Sequence, residues 1–150
     1  MILDTSYFLP LARIDINSDL LLAIAEKKVS SERISLDRIG LNSISIFELQ
    51  AKAAKLGVKT EYVTKAIGTI SNVFKIESYS SPRIIETASI LRRDLFTDYV
   101  DCVITATAIQ LREDLVTEDS KILRRRGELK QKYELTILTS RDLLQPLSAR

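Results

Sequence analysis

The chain has 150 residues, of which 45% are hydrophobic and 28% are charged, a composition typical of an ordinary globular domain. It contains no histidine and one cysteine, Cys102. This excludes histidine-based acid–base catalysis, an intrachain disulfide and a zinc site of cysteine and histidine ligands. The net charge of +2 is too small to indicate nucleic-acid binding by itself. Any chemistry must therefore come from carboxylates, hydroxyls, lysines and arginines.

The sequence shows no pattern typical of a targeting segment or of a boundary between domains. The apolar runs are far shorter than a membrane span, and the first four residues lack the basic start of a signal peptide. The two common glycine-rich phosphate-binding motifs are also missing. Since there is neither an internal repeat nor a low-complexity linker, we expect residues 1–150 to form one domain without a membrane anchor, located in the cytoplasm.

Short apolar runs alternate with helical patterns from the first residue onward. The predicted strands are Met1–Leu3, Ile39–Ser43, Val73–Ile76, Leu115–Thr117 and Leu135–Leu138. The predicted helices are Asp19–Lys28, Glu48–Leu56, Tyr62–Ile70, Pro82–Leu95 and Val100–Leu111. The last helix is almost wholly apolar and should be the most buried one. The segment Val29–Arg38 is polar and irregular. This order predicts an α/β fold, a three-layer α/β/α sandwich around a five-stranded, mostly parallel sheet.

Four carboxylates are predicted to meet at one edge of this sheet. Asp4 directly follows the first strand, and Asp119 lies just past the fourth. Glu48 lies five residues past the second strand, and Asp101 lies in the first turn of the apolar helix that leads into the fourth. Ligands of open parallel sheets bind outside the carboxyl ends of the strands. We therefore treat these acids as candidate site residues.

Each acid also has a purely structural interpretation. Ser45 with Glu48, and Asp98 with Asp101, fit the spacing of a helix capping box, and the other two acids could be N-caps. However, four acids at one edge repel each other unless a cation neutralises them. Carboxylates without histidine or cysteine suit Mg²⁺ or Mn²⁺, which support hydrolysis of phosphodiesters.

Four motifs in order resemble the PIN domain, and more narrowly the VapC-type toxins of prokaryotic toxin–antitoxin pairs. The motifs are Met-Ile-Leu-Asp4-Thr-Ser, Ser-x-x-Glu48-Leu, Asp98-Tyr-x-Asp101-x-x-Ile-x-Ala-Thr-Ala and Leu-Val-Thr-x-Asp119. The resemblance implies a five-stranded parallel sheet and a ribonuclease that binds one or two Mg²⁺ or Mn²⁺ ions. It assigns the acidic positions to Asp4, Glu48, Asp101 and Asp119, and the small polar positions beside them to Thr5 and Thr117.

The resemblance also implies a mechanism and partners. Three of the acids, Asp4, Asp101 and Asp119, would hold the principal ion. Glu48 would hold a second ion or orient the attacking water, and the products would be a 5′-phosphate and a 3′-hydroxyl. VapC-type proteins often form homodimers and are silenced by an antitoxin segment that reaches the active site.

Other residues were assigned by their surroundings in the sequence. The arginines Arg92, Arg93, Arg124, Arg125 and Arg126 either contact RNA phosphates or form solvated helix faces. We expect Asp98 to cap a helix, Glu118 to be solvated, and Cys102 to be a buried, unreactive thiol. We expect Thr105 and Thr107 to bond back to their own helix, although Thr105 could instead support the metal shell. We expect Tyr7, Phe8 and Phe47 in the core or in a dimer contact, with base stacking as the less favoured alternative.

Three functions other than a toxin ribonuclease are alternatives for this sequence. A catalytically silent RNA-binding or assembly module on the same fold would be expected to have lost one of the four acids. A housekeeping RNA-processing nuclease would show the same motifs as a toxin. An unrelated phosphatase or phospho-acceptor domain is disfavoured, because Ser6 stands where a dehalogenase-type site needs a second aspartate and Asp4 stands alone after its strand.

Overall fold

The computed structural model describes residues 1–31 and 34–144 and confirms the predicted architecture. Five strands form one sheet: β1 (Ile2–Leu3), β2 (Gly40–Asn42), β3 (Lys75–Glu77), β4 (Leu115–Val116) and β5 (Ile137–Leu138). Their order is β3-β2-β1-β4-β5, and each pairing is parallel. The predicted irregular segment Val29–Arg38 is described except for residues 32 and 33, which lie outside the described part of the chain.

Helices cover both faces of the sheet. They are the 3₁₀ helices Thr5–Ala12 and Leu36–Arg38, and α1 (Leu20–Ala25), α2 (Ile44–Lys55), α3 (Thr60–Val73), α4 (Pro82–Asp94), α5 (Tyr99–Leu111), α6 (Ser120–Leu123), α7 (Arg126–Tyr133) and α8 (Ser140–Leu143). The five predicted helices correspond to α1–α5, and the others were not predicted. No helix in the described residues is long and apolar enough to cross a membrane.

Two hydrophobic cores lie on opposite faces of the sheet. Successive side chains of a strand point to opposite faces, so Leu3 enters one core and Ile2 enters the other. The first core packs the 3₁₀ helix Thr5–Ala12 with α1, α2 and α3, and the second packs α4 to α7. All residues from Cys102 to Ala108 are buried, which confirms that α5 is the most buried helix. Each fully buried leucine or isoleucine contributes about 1.5–3 kcal/mol.

The strand order places the topological switch point beside β1. The chain moves outward from β1 through β2 to β3, then returns to the other side of β1 for β4 and β5. The crevice at such a point is where ligands of parallel sheets bind. Asp4 follows β1 and Asp119 lies close after β4, so these acids flank the crevice. Strand β3 lies at the edge of the sheet and is mostly exposed.

Candidate active site

Asp4 and Asp119 are joined through one buried hydroxyl. Asp4 is the N-cap of the 3₁₀ helix, and its Oδ1 accepts a hydrogen bond of 2.7 Å from the Thr5 N–H. Its Oδ2 accepts a hydrogen bond of 2.6 Å from the Thr117 hydroxyl. The same hydroxyl accepts a hydrogen bond of 3.0 Å from the Asp119 N–H. Thr117 therefore fixes the ends of β1 and β4 relative to each other.

Asp119 is the N-cap of the short helix α6. Its Oδ1 accepts hydrogen bonds from the Lys121 N–H at 2.7 Å and from the Ile122 N–H at 3.3 Å. The cap occupies one carboxylate oxygen, and Oδ2 accepts no hydrogen bond from a described residue. The capping interpretation is thus confirmed for Asp119, and it leaves one oxygen available for a ligand.

Glu48 is held by the residue that follows Asp4. Because α2 begins at Ile44, Glu48 lies in its second turn and cannot close a capping box with Ser45. Instead, the Thr5 hydroxyl donates a hydrogen bond to Glu48 Oε1 and lies 2.9 Å from the Ser45 hydroxyl. The capping-box interpretation is therefore wrong for Glu48. Its carboxylate faces the end of β1.

Asp101 is the least constrained of the four acids. Asp98 caps α5, since its Oδ1 accepts a hydrogen bond of 2.8 Å from the Val100 N–H, as predicted. No capping box forms, because the Asp101 carboxylate accepts no hydrogen bond from any described residue. Asp101 is half-buried. Its carboxyl group therefore has no structural partner that would account for its position.

The electrostatics show that these carboxyls lie near one another. Burial, together with the charges of Asp119 and two further aspartates, raises the pKa of Asp101 to about 7. Burial also raises the pKa of Asp4, and the hydrogen bonds that it accepts offset this only in part. Burial likewise raises the pKa of Glu48, with added repulsion from Asp4 and Asp98. The site therefore disfavours its own charged form when no cation is bound.

The carboxylate oxygens of the four acids are the type of ligand that a hard divalent cation prefers. The carboxyl groups of the described residues are, however, not close enough together to hold an ion as they stand. None of the ion pairs between described residues includes Asp4, Glu48, Asp101 or Asp119. Oxygen donors with unneutralised charge are the ligands that Mg²⁺ and Mn²⁺ prefer. Within the described residues, however, no three acidic or cysteine side chains are arranged as a ready-made metal site. An ion would have to draw the carboxyls closer together.

Glu118 has an unpredicted role beside this site. Its Oε1 accepts hydrogen bonds from the Tyr7 hydroxyl at 2.8 Å, the Ser140 N–H at 2.8 Å and the Ser140 hydroxyl at 2.6 Å. Burial alone would raise the pKa of Glu118, but these hydrogen bonds outweigh burial and hold the pKa below its usual value. Glu118 is exposed, as expected for a solvated acid, but the sequence did not predict these hydrogen bonds. The bonds link the ends of β1, β4 and β5.

Of three further side chains on α5, Thr107 and Cys102 match the predictions and Thr105 does not. The Thr107 hydroxyl bonds back to the Val103 carbonyl at 2.7 Å, as predicted. The Thr105 hydroxyl is fully buried and has no hydrogen-bond partner, so the back-bonding prediction is wrong there. The Cys102 thiol is buried, and burial raises its pKa to about 11, which confirms an unreactive thiol.

The candidate RNA-binding arginines lie at the end of α4, in the link between α6 and α7, and at the start of α7. Arg93 forms an ion pair with Asp94, and Arg125 with Glu128. The guanidinium of Arg126 lies 3.7 Å from the carboxylate of Asp142, Arg92 contacts the Phe96 carbonyl, and Arg124 is exposed. Acidic neighbours thus already neutralise part of this group's charge.

The aromatic residues near the site divide into two groups. Tyr7 and Phe8 are fully buried, with 1% of each side chain exposed, and belong to the core. Phe47, which precedes Glu48, is 66% exposed. Tyr79 and Tyr99 are also exposed, at 56% and 45%. Phe47 is therefore not part of the core, in contrast to Tyr7 and Phe8.

The sequence profile of the PIN domain family matches residues 1–129, so this chain belongs to the PIN domain family. No curated protein matches the sequence significantly. Solved structures from three organisms are among those with a similar fold. One is a toxin–antitoxin complex from Klebsiella pneumoniae, with 22% identity and a TM-score of 0.57 over 80% of this chain and 87% of that chain.

The second is VapBC2 from Rickettsia felis bound to a DNA fragment from its promoter, with 19% identity and a TM-score of 0.59 over 92% of this chain and 96% of that chain. The third is FitAcB from Neisseria gonorrhoeae, with 15% identity and a TM-score of 0.62 over 93% of this chain and 96% of that chain. At these identities the likeness establishes the fold.

Proposed function

We propose that this chain is a metal-dependent endoribonuclease and the toxin of a VapBC-type toxin–antitoxin pair. PIN domains are generally nucleases, and the chain belongs to that family. The observation that supports the proposal best is the carboxylate cluster at the switch point. Its acids come from four separate chain segments and form no ion pair with a described basic residue, and burial together with neighbouring acids raises the pKa of Asp4, Glu48 and Asp101.

In this proposal, Asp4, Asp101 and Asp119 hold the principal Mg²⁺ or Mn²⁺ ion, and Glu48 holds a second ion or the attacking water. The bound ion supplies positive charge to the phosphoryl oxygen and to the leaving oxygen. Asp119 can bind without giving up its cap, because its Oδ2 is free of described partners. Thr117 and Thr5 keep Asp4 and Glu48 oriented toward the crevice.

The proposed reaction is hydrolysis of an RNA phosphodiester. A water oxygen bonds to phosphorus while the bond between phosphorus and the 3′-oxygen breaks, which leaves a 5′-phosphate and a 3′-hydroxyl. Glu48 is suited to accept the proton of the water, because its raised pKa makes its carboxylate a stronger base than an exposed glutamate. No nucleophile of the protein is required.

The toxin assignment rests on the neighbouring structures and on the exposed surface. Two of the similar structures are described as a toxin–antitoxin complex and as VapBC2. We propose that this chain likewise acts in the cytoplasm and is silenced by a separate antitoxin protein. We also propose that it forms a homodimer, because a dimer would cover exposed aromatic side chains such as Phe47 and Tyr79.

The test is cleavage of a mixed panel of end-labelled RNAs with Mg²⁺, with Mn²⁺ and with EDTA. We expect ion-dependent cleavage that Asp101→Asn lowers by about 100-fold or more. The matched control is Asp114→Asn, an exposed aspartate that directly precedes β4 and so lies at the opposite edge of the sheet. Equal loss in both variants, or cleavage that persists in EDTA, would contradict the proposal.

A further inference from the structure

A cleft beside the carboxylates is not used by the proposed chemistry. It encloses about 1120 Å³. One wall begins at Ser6, two residues after Asp4, and another includes Glu118, which directly precedes Asp119. Residues 139–142, which follow β5, form part of the lining. The cleft therefore opens at the same edge of the sheet as Asp4 and Asp119, on the side of β4 and β5.

Glu118 presents a fixed hydrogen-bond acceptor to the cleft. All three of its hydrogen bonds, from Tyr7 and Ser140, end on Oε1. Its Oε2 accepts no hydrogen bond from a described residue and is available to a ligand in the cleft. A charged acceptor that is already oriented loses little side-chain freedom when a donor binds it.

The rest of the lining favours a neutral, polar ring over a phosphate group. Hydroxyl and amide side chains predominate, at Ser6, Asn17, Ser18 and Ser30. Ile16 and Leu144 add apolar surface. Among the described lining residues, the one basic side chain, Arg141, is accompanied by Asp142 and Glu118, so these residues give the cleft no excess of positive charge. Phosphate would be repelled here, whereas a base with N–H donors would find acceptors.

We propose that this cleft binds a nucleobase next to the scissile phosphate, and that Glu118 selects bases with an exocyclic amino group. The inference rests on the proposed ribonuclease function and specifies its substrate preference. Glutamate accepts a hydrogen bond from the cytosine amino group, whereas uracil presents a carbonyl oxygen at the same place. Cytosine is therefore preferred over uracil at this subsite.

A binding experiment tests the cleft independently of catalysis. Cytidine and uridine carry no phosphate, so they report on the cleft rather than on the carboxylates. We expect cytidine, added to ¹⁵N-labelled protein in EDTA, to shift the Ser140 amide resonance and to bind about fivefold or more tightly than uridine. Equal binding of the two nucleosides, or shifts with free arginine and with neither nucleoside, would overturn the inference in favour of a basic protein segment as occupant.

A variant tests the role of Glu118 in cleavage. Glu118→Gln retains an oxygen that Tyr7 and Ser140 can bond, and it replaces the free acceptor by an amide donor. We expect the mapped cleavage sites to shift from cytosine toward uracil at one position by about fivefold or more, with Mn²⁺ affinity unchanged. Glu86→Gln, an exposed glutamate on α4 outside the cleft, serves as the control and keeps the wild-type cleavage pattern.

The two proposals fail in distinguishable ways. If the wild-type protein binds cytidine selectively but cleaves no RNA, the proposed ribonuclease function is contradicted and the proposed nucleobase subsite is supported. If the wild-type protein cleaves RNA and Glu118→Gln cuts the same sites, the ribonuclease function is supported and the nucleobase subsite is contradicted. Ser30→Phe adds a ring to the cleft wall at an exposed position and should weaken cytidine binding; unchanged binding would also overturn it.

Discussion

Replacement of Asp101 by asparagine should stabilise the metal-free protein while it abolishes activity. The folded state holds the Asp101 carboxyl half-buried, without a described hydrogen-bond donor and close to other aspartates. Its pKa is therefore raised in the folded state and ordinary in the unfolded state. Between these two pKa values, the folded state binds more protons than the unfolded state. As far as Asp101 is concerned, the free energy of unfolding is therefore highest at low pH and falls as the pH rises toward 7.

The magnitude follows from the size of the shift. A pKa of about 7 against an ordinary value of 3.8 corresponds to about 4 kcal/mol. Because Asp101 is half exposed, solvent screening reduces this to about 1–2 kcal/mol. In a chain of this size, each kcal/mol changes the melting temperature by about 2–4 °C. Asparagine keeps the shape of the side chain and removes its charge. The free energy of unfolding of the variant should therefore exceed that of the wild type by about this amount.

The assay is thermal unfolding in EDTA at about pH 5 and about pH 8. Asp101→Asn should melt several degrees above the wild type at the higher pH and close to it at the lower pH. Asp114→Asn should match the wild type at both, because this residue is exposed at the other edge of the sheet. If Asp101→Asn were no more stable than the wild type at about pH 8, the argument from repulsion would be refuted.

Three further substitutions give distinct results. Thr105→Val removes a buried hydroxyl without a partner and should raise the free energy of unfolding by about 1 kcal/mol; a decrease measured by urea unfolding would show that the hydroxyl is bonded. Thr117→Val removes the donor to Asp4 and should cost about 1.5–3 kcal/mol, and calorimetry should show weaker Mn²⁺ binding; unchanged stability would contradict the bridging role. Gly40→Ala places a methyl group 3.0 Å from the Ile2 Cδ1 and should lower stability by about 1–3 kcal/mol, as thermal unfolding would show; a variant as stable as the wild type would show that Ile2 moves aside freely.

The sequence predicted the sheet well because its strands are short, apolar and separated by helices. Each predicted strand overlaps an observed one, and the acids at the ends of β1 and β4 follow from that placement. The helices α6 and α8 have four residues each, too few to show a hydrophobic period, so no pattern could indicate them.

The errors at the site have a different origin, because they depend on contacts between distant residues. Glu118 is bonded to Ser140, 22 positions away, and to Tyr7, 111 positions away. The residues next to Glu118 in the sequence show only an acid in a polar stretch, so they do not indicate these long-range contacts. The alternative capping-box interpretation of Glu48 follows from its spacing from Ser45, but α2 begins earlier, and the Thr5 hydroxyl contacts both residues instead.

The proposed function requires that the carboxylate cluster binds a divalent ion. Calorimetric titration of Mn²⁺ into the EDTA-treated, dialysed protein tests it most directly, because it requires no knowledge of the RNA target. We expect binding that is lost in Asp101→Asn and retained in Asp114→Asn. A folded wild-type protein that binds no Mn²⁺, or an Asp101→Asn variant that binds it as tightly as the wild type, would contradict the claim.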